Sequence, residues 1–271
     1  ENGLKGECLG LCLDGTGFGL DGSIWGGELL CGSAAGFERL ARLKPFRLPG
    51  GDAAVRQPWR SLLGVLQANL SREESLSCLG QLEGVETKEI EAVFLSSQRG
   101  VNSPWTSSLG RLFDAVSAQL SICTRVLYDG QAAVELEAAA TGAEPATLPK
   151  LGLVVTEGLW ELSPEDLLRQ LDQRHRAGEP VESLAAGFHK ALVDGLVEAC
   201  CRRREEGGPE RVVFSGGCFM NRLLDDMLGL ALEAEGFGVF RQRAVPANDG
   251  GLCLGQAAIA AEMLKAGAEG G

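Results

Sequence analysis

The chain lacks several features that would set its class at once. Its 271 residues contain no run of about 20 apolar side chains, the length a helix needs to cross a membrane, so no membrane association is expected. A basic excess is missing too: 37 acidic residues face 25 basic ones, a net charge of −12. A protein that neutralises phosphate backbones needs the opposite balance, so nucleic acid is not an expected partner. The one basic run, Arg202-Arg203-Arg204, is followed at once by Glu205-Glu206, as on a solvated helix end. The nine cysteines are odd in number, scattered through apolar segments and without a CxxC pair. That spacing argues against zinc and against a disulfide framework, and suggests free thiols in a reducing compartment. Only two histidines occur, His175 and His189, far from the i, i+4 spacing of a helical metal site, and both read as structural or surface residues. With no Ser-His or Cys-His arrangement, covalent catalysis by a protein nucleophile has no support. The opening ENGLKGECLG has neither the basic nor the apolar region of a signal peptide, so a cytoplasmic location is expected.

Glycine is what the chain has in excess, 38 residues against a usual share of about 7%. The glycines cluster at 15–27, 50–51, 216–217 and 250–255, at the ends of apolar runs, where backbones turn sharply or approach a ligand. Periodicity predicts strands at 6–14 and 23–31, forming a hairpin, and another at 37–48. Helices are expected at 53–70 with Asp52 as cap, and at 86–97, 107–121 and 131–140. A strand at 151–155 precedes a helix opened by Ser163 and a long helix at 181–204. Strand, helix, strand and helix then alternate at 212–214, 219–235, 238–241 and 252–264, with a frayed tail from Ala266. The class is α/β.

Three glycine-bearing strand ends carry the chemistry. In RVVFSGGCFMNR (211–222) an apolar strand runs into Ser215-Gly216-Gly217 and then a helix carrying Asn221. Glycines let a phosphate approach the backbone, and the N–H groups and positive end of the following helix point at it. The other reading is a plain strand-to-helix turn. Asp14-Gly15-Thr16-Gly17 and Asn248-Asp249-Gly250-Gly251 each place a carboxylate at a strand end or before a helix. Asp14 and Asp249 would there suit a hard cation beside phosphates, or simply cap turns. Gly110, Arg111 and Asp114 fall within about one turn of a helix, and Gly130 opens another whose Glu135 and Glu137 read as solvated.

Six segments together resemble the C-terminal part of HypF-type carbamoyltransferases, which are hydrogenase-maturation factors: DGTGFGLDGSIWGGE, LPGGDAA, NSPWTSSLGRLFDAVSA, YDGQAAVELE, VFSGGCFMNRLL and NDGGLCLGQAA. The resemblance implies an ASKHA-type (actin/hexokinase-like) two-lobed fold with the N-terminal lobe incomplete. Residues 1–50 would be a remnant first-lobe hairpin, 51–205 a mainly helical middle and 206–265 the strand-helix nucleotide-binding end. It further implies transfer of carbamoyl from carbamoyl-adenylate, made from carbamoyl phosphate and ATP, to the C-terminal cysteine of HypE for cyanide ligand synthesis. By the same resemblance Ser215, Gly216 and Gly217 would cradle phosphates, Asn221, Asp114 and Gly110 would contact the nucleoside, and Gly130 would line its pocket. Asp14 and Asp249 would ligate a divalent iron, zinc or magnesium ion. The family completes that site with two histidines of an HxxxH motif upstream of this segment, and neither His175 nor His189 stands at that position. Cys218, where the family usually has Val, reads as a tolerated packing change, the alternative being a reactive thiol beside the phosphate turn. The alternatives are an O-carbamoyltransferase acting on a sugar hydroxyl and a non-catalytic segment that only binds nucleotide or partner.

Overall fold

The computed structural model describes residues 1–269. An antiparallel meander of β1 (Cys8–Phe18), β2 (Ile24–Ser33) and β3 (Gly36–Leu43) forms the centre of a single nine-stranded sheet. Alternation drives it: Leu9, Leu11 and Leu13 point into the core and are fully buried. On the β3 side, the short strands β4 (Phe46–Arg47) and β5 (Trp105–Thr106) pair with each other, and β5 joins β2. The hairpin β6 (Gly152–Thr156) and β7 (Leu159–Ser163) extends that edge. On the other side, β8 (Arg211–Ser215) runs parallel to β1 with Cys12 opposite Ser215, and β9 (Gly238–Phe240) runs parallel to β8. Residues 1–50 and 206–265 therefore share one sheet through the β1–β8 pairing, and the middle stretch adds three of its strands.

Ten helices flank the sheet in the described residues: α1 (Asp52–Arg56), α2 (Pro58–Asn69), α3 (Arg72–Leu79), α4 (Thr87–Gln98), α5 (Leu109–Gln119), α6 (Gln131–Ala140), α7 (Glu165–Arg176), α8 (Val181–Glu205), α9 (Arg222–Ala234) and α10 (Leu252–Glu269). Helix α5 is buried at every position, wedged between β1, α2 and α6, which is why its polar residues are buried too.

Several sequence expectations are corrected. The helix expected over 53–70 breaks at Pro58, which has no N–H to continue α1 and instead starts α2. Asp52 lies inside α1, with Gly51 as its cap residue. The strand expected over 37–48 is interrupted at Lys44-Pro45. Ser163 ends β7, and Pro164 occupies the cap position of α7. The helix expected over 219–235 divides into a single 3-10 turn, Gly217–Met220, and α9, because Asn221 leaves helical geometry in order to cap α9. Helix α3 was not anticipated, although Ser71 and Glu74 form the reciprocal capping box that a Ser-x-x-Glu spacing announces. The tail expected to fray from Ala266 continues as helix to Glu269, and its last two glycines lie outside the described residues. No helix among the described residues is long and apolar enough to cross a membrane.

Candidate functional site

The parallel strands β1 and β8 end side by side, and the chain turns sharply after each. Gly216 adopts φ 105°, and a Cβ there would lie 2.2 Å from the Leu13 carbonyl oxygen, so only glycine lets the two turns nest. A Cβ at Gly110 would lie 2.7 Å from the Gly15 Cα, which brings the first turn of α5 against the Asp14-Gly15 turn. Ser108 locks this contact. Its hydroxyl accepts from the Arg111 N–H as the α5 cap and lies 2.9 and 2.8 Å from the Asp14 and Gly15 carbonyl oxygens.

Two cavities flank the Ser215-Gly216-Gly217 turn. The first, about 240 Å³, lies among α5, α6 and α9 and is lined by Gly110, Gly130, Gly217 and Asn221, with Phe113 and Glu137. The second, about 460 Å³, is lined by Asp14, Ser215, Gly216, Asn248 and Asp249, together with the first turns of α10. Thus eight of the nine candidate residues are gathered around one turn, four in each cavity, with the turn as their shared wall. The ninth, Asp114, lines neither cavity; it is 3% exposed, one turn of α5 behind Gly110.

The expected presentation of the α9 N-terminus to a phosphate is corrected. Its N–H groups already have partners: Glu137 Oε1 accepts from Arg222 at 2.7 Å and Leu223 at 3.1 Å, and Asn221 Oδ1 accepts from Leu224 at 2.8 Å. A carboxylate from α6 therefore occupies the place where an anion would sit. Glu137 is thus not a solvated surface residue, and only the tertiary pairing of α6 with α9 reveals its role. The backbone most open to a phosphate is the glycine turn, beside the Asp14-Gly15 turn.

Asn221 is held from behind by His189, which is fully buried. His189 Nδ1 donates to the Ala185 carbonyl at 2.8 Å, leaving Nε2 to accept from Asn221 Nδ2 at 3.2 Å. Burial lowers the His189 pKa to about 4, so the ring is neutral at physiological pH. This histidine fixes the orientation of a cleft amide, a function no spacing in the sequence reveals.

Asp114 is raised to about 7, because burial outweighs the attraction of Arg111, whose Nη1 stands 2.9 Å from Oδ2. Burial also pushes the Cys218 thiol well above its ordinary range, and Asp14 nearby adds to this. Of the two readings of Cys218, the packing change is favoured over the reactive thiol, because burial keeps the thiol neutral. All nine cysteines are unpaired, as expected from their spacing.

The metal expectation meets a shortage of donors. Asp14 and Asp249 line the same cavity, but among the described residues no group of three or more histidine, cysteine or acidic side chains stands close enough to hold a metal ion. Asp14 Oδ1 is also engaged by the Gly15 N–H at 2.6 Å. The side chains present do not make a metal site by themselves.

Residues 10–256 match the family model described as carbamoyltransferase, Kae1-like domain, second subdomain. The chain is 40% identical over 263 residues to the carbamoyltransferase HypF of Rhodobacter capsulatus, covering 96% of this chain and 33% of that protein. It is 37% identical to a HypF homolog of Cupriavidus necator, covering 97% of this chain and 67% of the relative. A full-length HypF crystallised in a phosphate- and nucleotide-bound form superimposes with a TM-score of 0.87 at 36% identity, covering 96% of this chain and 34% of that one. The HypF of T. kodakarensis gives 0.82 at 31%. A shorter stretch, 82 residues at 35% identity, matches a tRNA N6-adenosine threonylcarbamoyltransferase of Syntrophotalea carbinolica. The chain thus spans about a third of the length of several of the HypF proteins it matches. This chain belongs to the HypF carbamoyltransferase family, where it corresponds to the second subdomain of the Kae1-like domain.

Proposed function

We propose that this chain forms the nucleotide-binding wall of a carbamoyl-transfer site. The observation that carries the reading is the pair of cavities divided by the Ser215–Gly217 turn. The first has an apolar floor at Phe113, Ala133 and Val134 and polar groups at Asn221 and Glu137, a lining that suits a nucleoside. With Glu137 already satisfying the α9 amides, the phosphate falls to the glycine turn and Gly15.

In this reading the nucleotide is carbamoyl-adenylate, formed from carbamoyl phosphate and ATP, and the acceptor is the C-terminal cysteine of a HypE-type protein. The acceptor thiolate attacks the carbamoyl carbon, a C–S bond forms, the C–O bond to the adenylate phosphate breaks, and AMP leaves. The thiocarbamate is then the precursor of the cyanide ligand. The chain contributes positioning and fixed charge, and the nucleophile belongs to the acceptor. Asp14 and Asp249 alone do not hold a metal ion, so the positioning described rests on the chain's backbone and side chains.

The test is a chimera in which this chain replaces the corresponding third of a full-length HypF relative. Mass spectrometry of the acceptor should show carbamoylation of its terminal cysteine when carbamoyl phosphate and ATP are supplied. A folded chimera that binds nucleotide but leaves the cysteine unmodified refutes the transferase reading.

A further inference from the structure

The groups around the proposed phosphate position are predominantly acidic. Asp129 and Glu137 line the first cavity, and Asp14, Asp249 and Glu1 line the second. Arg241 also reaches the second cavity, but its guanidinium is committed, with Nε 2.8 and 3.0 Å from the Asp225 carboxylate oxygens and Nη2 donating to the Asp225 carbonyl. The anionic phosphate of a nucleotide brought to the glycine turn would meet this negative field, so a cation must face it.

Arg111 lines neither cavity but stands directly behind the Asp14-Gly15 turn that borders the glycine turn. It is 7% exposed, in the first turn of α5, and a Cβ added at Gly15 would lie 3.3 Å from its Nη2. The Asp14-Gly15 turn that it touches also abuts the other wall, since a Cβ at Gly217 would lie 3.2 Å from Asp14 Oδ1. Although Nη1 approaches Asp114 Oδ2 to 2.9 Å, the contact is not aligned as a hydrogen bond, and Nε, Nη1 and Oδ2 are all buried without a hydrogen-bond partner. Buried donors are normally satisfied, because an unpaired one has lost its water without gaining a partner. Nε and Nη1 are closed off behind the turn, and Nη2, which takes no hydrogen bond among the described residues, is the guanidinium nitrogen left beside Gly15 to meet an acceptor that arrives from outside.

We propose that Arg111 is the phosphate-recognition residue of this cleft: its guanidinium, held in place by Asp114 behind it, supplies the fixed positive charge for the phosphoryl group of the bound nucleotide. This rests on the nucleotide reading above and adds to it. The nucleoside end is read by neutral and acidic groups of the first cavity, and the phosphoryl end by Arg111 across the Gly15 turn.

The experiment compares two probes that differ only in the phosphate, adenosine and AMP, by calorimetry on the full chain in magnesium-containing buffer. For wild type, AMP should bind more tightly than adenosine. Arg111→Gln should weaken AMP at least tenfold while changing adenosine less than threefold. Equal weakening of both probes, or AMP binding unaffected, overturns the proposal. Thermal unfolding checks that the variant folds with Asp114 left unpaired. Should it not fold, Arg111→Lys keeps the charge but not the fork, and should weaken AMP three- to tenfold with adenosine unchanged. A lysine variant that binds AMP as wild type does, or loses both probes alike, overturns the assignment in that case. If wild type binds neither probe, the nucleotide reading falls and takes this proposal with it. If adenosine and AMP bind wild type equally well, the nucleoside reading stands and Arg111 is refuted alone.

Discussion

At the scale of single residues, the cleft is held by two buried titratable groups whose shifts oppose each other. His189 falls to about 4 from an ordinary 6.5, and Asp114 rises to about 7 from 3.8. For His189, the unfolded chain binds the proton first, so its contribution to stability is full above 6.5 and is lost as pH falls toward 4. For Asp114 the folded state binds the proton first, so stability is gained as pH falls from 7 toward 3.8. The two trends cancel in wild type across much of that window. Relative to wild type, His189→Gln should gain stability on acidification through it and Asp114→Asn should lose it, each by on the order of 3 kcal/mol. Urea denaturation at a series of pH values reads the difference, and two variants whose curves run parallel to wild type would refute the shifts. A second residue-scale outcome concerns Gly216. Replacing it with Ala sets a Cβ against the Leu13 carbonyl at a positive φ, which should cost about 1–3 kcal/mol and weaken AMP binding.

At the scale of elements, the sequence shows what is local and hides what is relayed. The glycine turns at 15 and 216–217 were legible because paired glycines at the ends of apolar runs mark close backbone approach, whereas Gly110, Gly130 and Asn221 came forward only through the family resemblance, and the cap role of Asn221 emerges only where the helix expected over 219–235 divides. Glu137 and His189 were not legible as site residues. One reaches from α6 to α9 and the other from α8 to Asn221, across separations of 85 and 32 residues that only the packed helices close. The phosphate-binding helix end failed for the same reason, since nothing local shows that another element has already filled it. The α6–α9 link is directly testable. Glu137→Ala removes the acceptor from two α9 amides, so urea denaturation should show a loss of about 1 kcal/mol. The vacated amides should also admit inorganic phosphate, giving a second, weak binding event by calorimetry. An unchanged stability would show that solvent replaces the carboxylate without cost and that Glu137 is not a structural cap.

At the scale of the whole molecule, helix α10 is the element least explained by this chain's own packing. Leu252, Leu254, Ile259, Met263 and Leu264 are between 43% and 76% exposed, whereas the sheet and the other helices enclose a continuous core. It packs mainly against the 3-10 turn Asp249–Gly251 that precedes it. An apolar helix that stands off the body keeps its register through its own hydrogen bonds and presents an unpartnered surface, and such surfaces associate when nothing covers them. The net charge of −12 opposes association over the rest of the surface, so α10 is the expected point of contact between copies at high concentration. Sedimentation velocity on the full chain should show concentration-dependent association that Met263→Glu with Leu264→Lys abolishes. Because these two side chains are largely solvent-exposed, the same pair should move the unfolding free energy by no more than about 0.5 kcal/mol. A wild-type chain that sediments as a monomer at every concentration would show that the α10 face is too narrow to associate. A substituted chain that still associates would move the contact to another face of the sheet.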